Sequence, residues 1–169
     1  MRIEETNSDK SVFIGDDHSE EFWLHNYYSL REFKPDFLLL EVIGKHRYWT
    51  AKDRELAKIS EVYMPSKSNP GYNSDAFGLA DDLDIPMIGI DVWEKPYDFP
   101  KEWEAKDAAT NFEHSHGIRE ANMVEVAKEF LPQGKVLLII GAEHLRGESE
   151  LYKFGKTNEV EIKFFKMTL

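Results

Sequence analysis

Four apolar runs in this chain each lead to a side chain that can exchange a proton or hold a cation. Val12-Phe-Ile-Gly15 passes through Asp16 and Asp17 to His18, and Phe37-Leu-Leu-Leu40 ends in Glu41. Pro86-Met-Ile-Gly-Ile90 ends in Asp91, and Val136-Leu-Leu-Ile-Ile140 passes through Gly141, Ala142 and Glu143 to His144. Two imidazoles and two carboxylates brought into one cleft suit a divalent-metal site or an acid/base pair. Neutral imidazole gives a lone pair, carboxylate gives charge, and an open position keeps a water. Taken singly, each residue has a plainer explanation: a histidine after a strand is usually a loop residue, and Glu41 or Asp91 reads as a cap or turn residue. The repetition favours chemistry, because Ile-Gly, two residues including a carboxylate, and histidine occur twice. Gly15 and Gly141 fit the same edge, since a residue without a side chain lets backbone approach a ligand.

Arg119 is a fifth candidate. Positions 119, 123, 126 and 130 fall on one face of a helix and read Arg, Met, Val and Phe, so the arginine starts a stripe that should face the core. A buried guanidinium needs a carboxylate beside it, and Glu41 or Asp91 could supply one. The alternative, a side chain reaching out to water at the helix end, is weakened by the helix dipole, which disfavours a cation in the first turn. Other chemistry-bearing residues have simpler roles. His114-Ser-His116 falls in an expected loop, where solvent exposure is the ordinary fate; His25 and His46 have no patterned partners. Asp16, Asp17 and Glu143 either orient the neighbouring imidazoles or point to water. Trp49, Trp93 and Trp103 could line a pocket or pack in the core. There is no P-loop, GxGxxG, HExxH or GxSxG.

The elements needed to position these residues alternate in type. Ser11 to Ile14 reads as a buried strand and the following SEEFWLHNYYSLREF as a helix, with Trp23, Tyr27 and Leu30 on its inner face. Phe37 to Leu40 is apolar on both faces, as in a central strand. A helix is expected from Thr50 to about Tyr63, a loop from Met64 to Asn73, a short helix from Asp75 to Leu83 and a strand up to Asp91. Pro96 and Pro100 bracket a turn, and a helical region begins near Lys101. Asn111 to Gly117 is expected to interrupt that region before a second helix, Ile118 to Leu131. The 136–140 strand, a short helix near Glu148 to Phe154 and a strand from Val160 to Met167 close the order. This predicts an α/β fold: one domain with a central, mostly parallel sheet flanked by helices, its two related halves each carrying a strand-GxxH segment. If the strands are parallel, their carboxyl ends gather His18, Glu41, Asp91 and His144 at one edge.

Bulk properties narrow the partners. The 169 residues are 41% apolar and 13% aromatic, enough for one packed core and too much for a disordered chain. A net charge of −11 repels a phosphate backbone, so nucleic acid is an unexpected partner. The absence of cysteine removes disulfides, thiolate metal sites and a cysteine nucleophile together. A charged amino terminus and short apolar runs predict no secretory signal and no membrane span, hence a soluble cytoplasmic protein. Oligomeric state is open, a homodimer included.

The ordered set of Gly15-Asp-Asp-His18, Glu41, Asp91, Arg119-Glu-Ala-Asn-Met123 and Gly141-Ala-Glu-His144-Leu-Arg-Gly147 resembles the erythromycin esterase/ChaN-like superfamily, which includes the TraB/PrgY, GumN and Tiki proteins. The resemblance runs from Val12 to Gly147 and marks a small stand-alone member. It implies His18, Glu41 and His144 as active-site residues and metal ligands, with Arg119 nearby as a catalytic candidate; the strand ends themselves put Gly15, Gly141 and Asp91 near the ligand. The implied activity is metal-assisted hydrolysis of a peptide or small-molecule ester bond, with manganese, cobalt or zinc as cofactor. The alternative within the same superfamily is a non-catalytic protein that binds a metal, heme iron or a small ligand. The sequence departs from the family in its short length and in Asp16, where a small hydroxyl residue often follows the glycine.

Overall fold

The computed structural model describes residues 9–17, 19–41, 47–48, 52, 70–92 and 108–165. Within them the chain alternates strand and helix: β1 (Val12–Asp16), α1 (Glu20–Phe33), β2 (Phe37–Leu40), β3 (Arg47–Tyr48), α2 (Pro70–Leu83), β4 (Met87–Gly89), α3 (Ala108–Phe130), β5 (Val136–Gly141), a 3-10 turn (Ala142–Leu145), α4 (Glu150–Thr157) and β6 (Glu161–Phe164). One sheet has the order β3-β4-β2-β5-β1-β6. The five strands from β4 to β6 are all parallel, and the two-residue β3 pairs antiparallel with β4 at the edge.

The direction of each crossover explains the layers. The steps from β1 to β2, over β5, and from β2 to β4 run one way along the sheet; those from β4 to β5 and from β5 to β6 run back. Right-handed crossovers place helices for opposite directions on opposite faces. Accordingly, α1 and α2 cover one face through Phe22, Trp23, Leu30 and Phe77, packed on Ile14, Leu38, Leu40, Met87 and Ile139. Helices α3 and α4 cover the other through Met123, Ala127, Phe130 and Leu151, packed on Phe13, Leu39, Ile88, Leu138 and Ile140. Strand residues alternate between the two clusters, as a period of two requires. The α/β class with a largely parallel sheet, read from the sequence, is the observed architecture.

Ser19 caps α1, its hydroxyl accepting from Phe22 N at 3.3 Å, and Lys34 closes it in the left-handed region at φ 50° just before Pro35. Two boundaries differ from expectation. The segment 70–73, expected as loop, opens α2, because proline at the first helical position loses no hydrogen bond and already has the helical φ. Asn111 to Gly117, expected as an interruption, lies inside α3, which runs unbroken from Ala108. One glycine in a long helix costs about 1 kcal/mol, which packing of the inner face outweighs. Arg119 is therefore well inside the helix, and the first-turn dipole argument does not apply to it. The expected helix at 50–63 (save residue 52) and the turn at Pro96–Pro100 lie outside the described residues, as do His18, His46, Trp49, Trp93 and Trp103. No helix among the described residues is long and apolar enough to cross a membrane.

Candidate functional site

The carboxyl ends of β2, β4 and β5 lie side by side, and adjacent strands β2 and β5, like β2 and β4, send their chains off in opposite directions. Such switch points open a crevice at the strand ends. Glu41 follows β2, Asp91 follows β4 by two residues, and His144 sits in the 3-10 turn after β5. The helix α3 contributes His116, Arg119 and Glu120 from the same end, and Asn122 pins it there by donating to the Ile90 carbonyl at 2.6 Å. All six ionisable side chains are buried, none more than 9% exposed.

Arg119 is the hub of one half. Its Nη2 donates to Glu41 Oε1 and, at 2.7 Å, to Asp91 Oδ2, while Nε lies 3.1 and 3.2 Å from the two Asp91 oxygens. The second Glu41 oxygen accepts from the Gly141 backbone N–H at 2.7 Å, so Glu41 ties β2 to β5. Asp91 also accepts from Val92 N at 2.8 Å. Burial pushes the Asp91 carboxyl above its ordinary range, although Arg119 opposes this. Burial alone would lower the Arg119 pKa; the hydrogen bonds and charge of Asp91 and Glu41 outweigh it and raise the value.

His144 is the hub of the other half. Its Nε2 lies 3.5 Å from Glu41 Oε1 and its Nδ1 lies 3.4 Å from Glu120 Oε1. These approaches are longer than an ordinary N–H···O bond, and the Nδ1 contact does not close as one. Arg146 Nη1 donates to Glu120 Oε1 at 2.8 Å, and the His116 ring stacks on His144 with centroids 4.4 Å apart and planes 22° apart. Burial would hold the His144 pKa down; Glu120 and Glu41 overcome it and raise the value. Burial would raise Glu120, yet His144 and Arg146 bring it below the ordinary carboxylate value. Each of the two groups is thereby favoured in its charged form, the imidazolium beside the carboxylate.

Glu41, Asp91, Arg119 and His144 were all singled out from the sequence, and they form this cluster. His18 lies outside the described residues. His116, expected in an exposed loop, is 5% exposed and packed on His144, because the helix is continuous there. Glu120 and Arg146 were not anticipated. The signal for His116 was available: it precedes Arg119 by three residues on the inner stripe. Glu120 sits one step around from Arg119, within the width of a buried helix face. Gly15 has a packing reason of its own. A Cβ there would come within 3.0 Å of the Ala142 Cα, so glycine lets the His144 turn cross closely over β1. Asp17 turns to Ser19, whose hydroxyl donates to it at 2.6 Å, and Glu143 is exposed.

Among the described residues no three histidine or carboxylate side chains are grouped to hold a metal ion. The expected ligands in view do not fit one as they stand. The guanidinium of Arg119 already occupies Glu41 and Asp91, and each ring nitrogen of His144 faces a carboxylate that is itself engaged by an arginine. Compared with models of protein families, with curated proteins and with solved structures, the chain matches none.

Proposed function

We propose that the chain is a hydrolase of the erythromycin esterase/ChaN-like kind, acting on a peptide or small-molecule ester bond at the carboxyl edge of the sheet. The observation that carries this reading is the cost of the cluster. Six buried ionisable groups from four elements meet at a switch point, and buried ion clusters add little stability compared with apolar packing of the same volume. Perturbed ionisable groups gathered in such a place are the usual mark of a working site. In this reading Arg119 holds Glu41 and Asp91 ionised and fixed. The protonated His144 supplies the N–H that stabilises charge developing on the acyl oxygen, or protonates the departing group. The resemblance assigns His18 as the second imidazole of the reaction. The repeated GxxH adds two related halves within one domain, the charged amino terminus and short apolar runs add a cytoplasmic location, and the resemblance adds a divalent metal as cofactor.

A panel of p-nitrophenyl esters and a peptide library, assayed after chelation and again with manganese, cobalt or zinc, tests the activity and its metal requirement. Glu41→Gln and His144→Asn are expected to lower turnover by about 10²–10³-fold with an unchanged circular dichroism spectrum. Undiminished turnover in both folded variants would sink the reading. One observation favours the non-catalytic alternative, a member that holds a small ligand without turnover: each Glu41 and Asp91 oxygen already has a donor, and His144 is only 2% exposed, as in a blocked cleft. Saturable uptake of one such ligand without turnover would select it.

A further inference from the structure

Of all the groups in the site, Glu120 has the least obvious reason to be where it is. It lies on α3, 2% exposed, on a face otherwise occupied by Met123, Val124 and Ala127, and it makes no bond to Glu41, Asp91 or Arg119. A carboxylate so placed is costly unless it is compensated. Its charged compensation comes from Arg146 at 2.8 Å and His144 at 3.4 Å. We infer that Glu120 is a positioning residue that fixes the His144 ring so that Nε2, and not a carbon edge, is turned toward Glu41. Its functional weight rests on the hydrolase reading above; the geometry does not.

The ring is held on each side that could move. At one edge Glu120 faces Nδ1 and at the other Glu41 faces Nε2, at 3.4 and 3.5 Å. Turning the ring by half a revolution about its Cβ–Cγ bond would bring carbon to both carboxylates, so only one orientation satisfies the pair. The His116 ring covers one face at 4.4 Å. The backbone behind the ring is held too, since Ser149 Oγ donates to the His144 carbonyl at 2.8 Å. Glu120 is itself fixed from outside. Arg146 Nη1 donates both to Glu120 and, at 2.7 Å, to the Glu143 carbonyl, and its Nε lies 3.3 Å from Glu148. A carboxylate facing each ring nitrogen keeps the imidazole in one direction, with Nδ1 toward Glu120 and Nε2 toward Glu41 and the reacting edge.

The test reads the ring directly and needs no substrate. In protein labelled with ¹⁵N-histidine, long-range ¹H–¹⁵N spectra at neutral pH report which ring nitrogen carries hydrogen, and His144→Gln assigns the signal. Wild type is expected to show hydrogen on both ring nitrogens, each facing a carboxylate. Glu120→Gln, equal in size but uncharged, is expected to lose the Nδ1 hydrogen and leave the neutral Nε2–H tautomer, while exposed His25 is unmoved. Arg146→Met is expected to shift it the same way by less, and it carries the test if Glu120→Gln fails to fold. A His144 spectrum unchanged in whichever of the two folds overturns the inference. p-Nitrophenyl acetate turnover on the same samples separates the two ideas. Altered spectra, with no turnover by wild type of this ester or of any member of the ester panel and peptide library, would leave Glu120 as the positioning group and remove the hydrolase reading. If wild type does turn over, Glu120→Gln is expected to lower kcat and leave KM unchanged.

Discussion

The two faces of the sheet are built alike and used differently. Under α1 and α2 the buried surface is almost wholly apolar: Trp23, Phe22 and Phe77 fill it, and the buried Asn26 answers a need of its own helix by donating to the Phe22 carbonyl at 2.7 Å. Under α3 and α4 the apolar layer is equally continuous over the middle of the sheet, but His116, Arg119 and Glu120 replace it toward the strand ends. The same strands, alternating their side chains, serve both layers. Among the described residues the first face buries a single carboxylate, Asp16, on the same side of β1 as Val12 and Ile14, and is otherwise closed by apolar packing. What the second face adds at its charged end is not needed to close a core, and this is the physical ground for treating it as a site.

The largest expected effect probes that contrast by cutting one charge. Arg119→Ala leaves Glu41 and Asp91 buried beside each other, and urea unfolding is expected to register a loss of about 3–5 kcal/mol. Phe77→Ala on the other face should cost a similar amount, about 3–5 kcal/mol, through a cavity. The two losses differ in how they can be repaired. Replacing Glu41, Asp91 and Arg119 together with Leu, Leu and Met removes the guanidinium with both its carboxylates and leaves His144 free to shed its proton, and should recover most of the stability while ending hydrolysis. If the triple variant is as unstable as Arg119→Ala, the cluster is structural and the contrast between the faces fails.

A smaller effect follows from titration. The folded-state pKa of His144 is raised above 6.5, so the stability it contributes is fully present below pH 6.5 and is lost as pH rises through the folded value. The Glu120 value is lowered below 4.5, so its contribution is present above pH 4.5 and is lost as pH falls through the folded value. The charged face thus gives stability a shoulder on each side of a plateau. A tenfold change in the proton affinity of either group on folding is worth about 1.4 kcal/mol. Unfolding free energies measured from pH 4 to pH 9 should show the alkaline loss in wild type and not in His144→Gln. A flat difference between the two across that range would mean that His144 is not held as a cation.

The sequence carried the faces better than the edge of the cluster. The layered class and the parallel direction of the strands followed from alternating elements, and Glu41, Asp91 and His144 from a polar residue closing each apolar run. Arg119 was reached for a reason that held, the core-facing stripe, and for one that did not, a helix start at Ile118. The same misplaced start hid His116. His-Ser-His-Gly looks like a loop because each residue is a weak helix former, and only the packing of α3 on the sheet overrides that preference. Glu120 escaped because a stripe drawn in steps of three and four is narrower than the buried face of α3. Arg146 escaped because its partner did.

The smallest effect compares two serines that do the same local work on opposite faces. Ser19 caps α1 after β1, and Ser149 caps α4 after β5, each accepting from the backbone N–H three residues on, at 3.3 and 3.1 Å. Loss of either cap to alanine should cost about 1 kcal/mol. Ser19 spends its hydroxyl hydrogen on exposed Asp17, whereas Ser149 spends it on the buried carbonyl of His144. Ser149→Ala therefore strands a buried acceptor as well, adding about 1–3 kcal/mol, and frees the backbone that carries the imidazole. Thermal unfolding should rank Ser149→Ala below Ser19→Ala, and ester turnover should fall in the first and not in the second. Equal behaviour of the two variants would mean that the 3-10 turn holds His144 without help from α4, and that the charged face tolerates small displacements as readily as the apolar one.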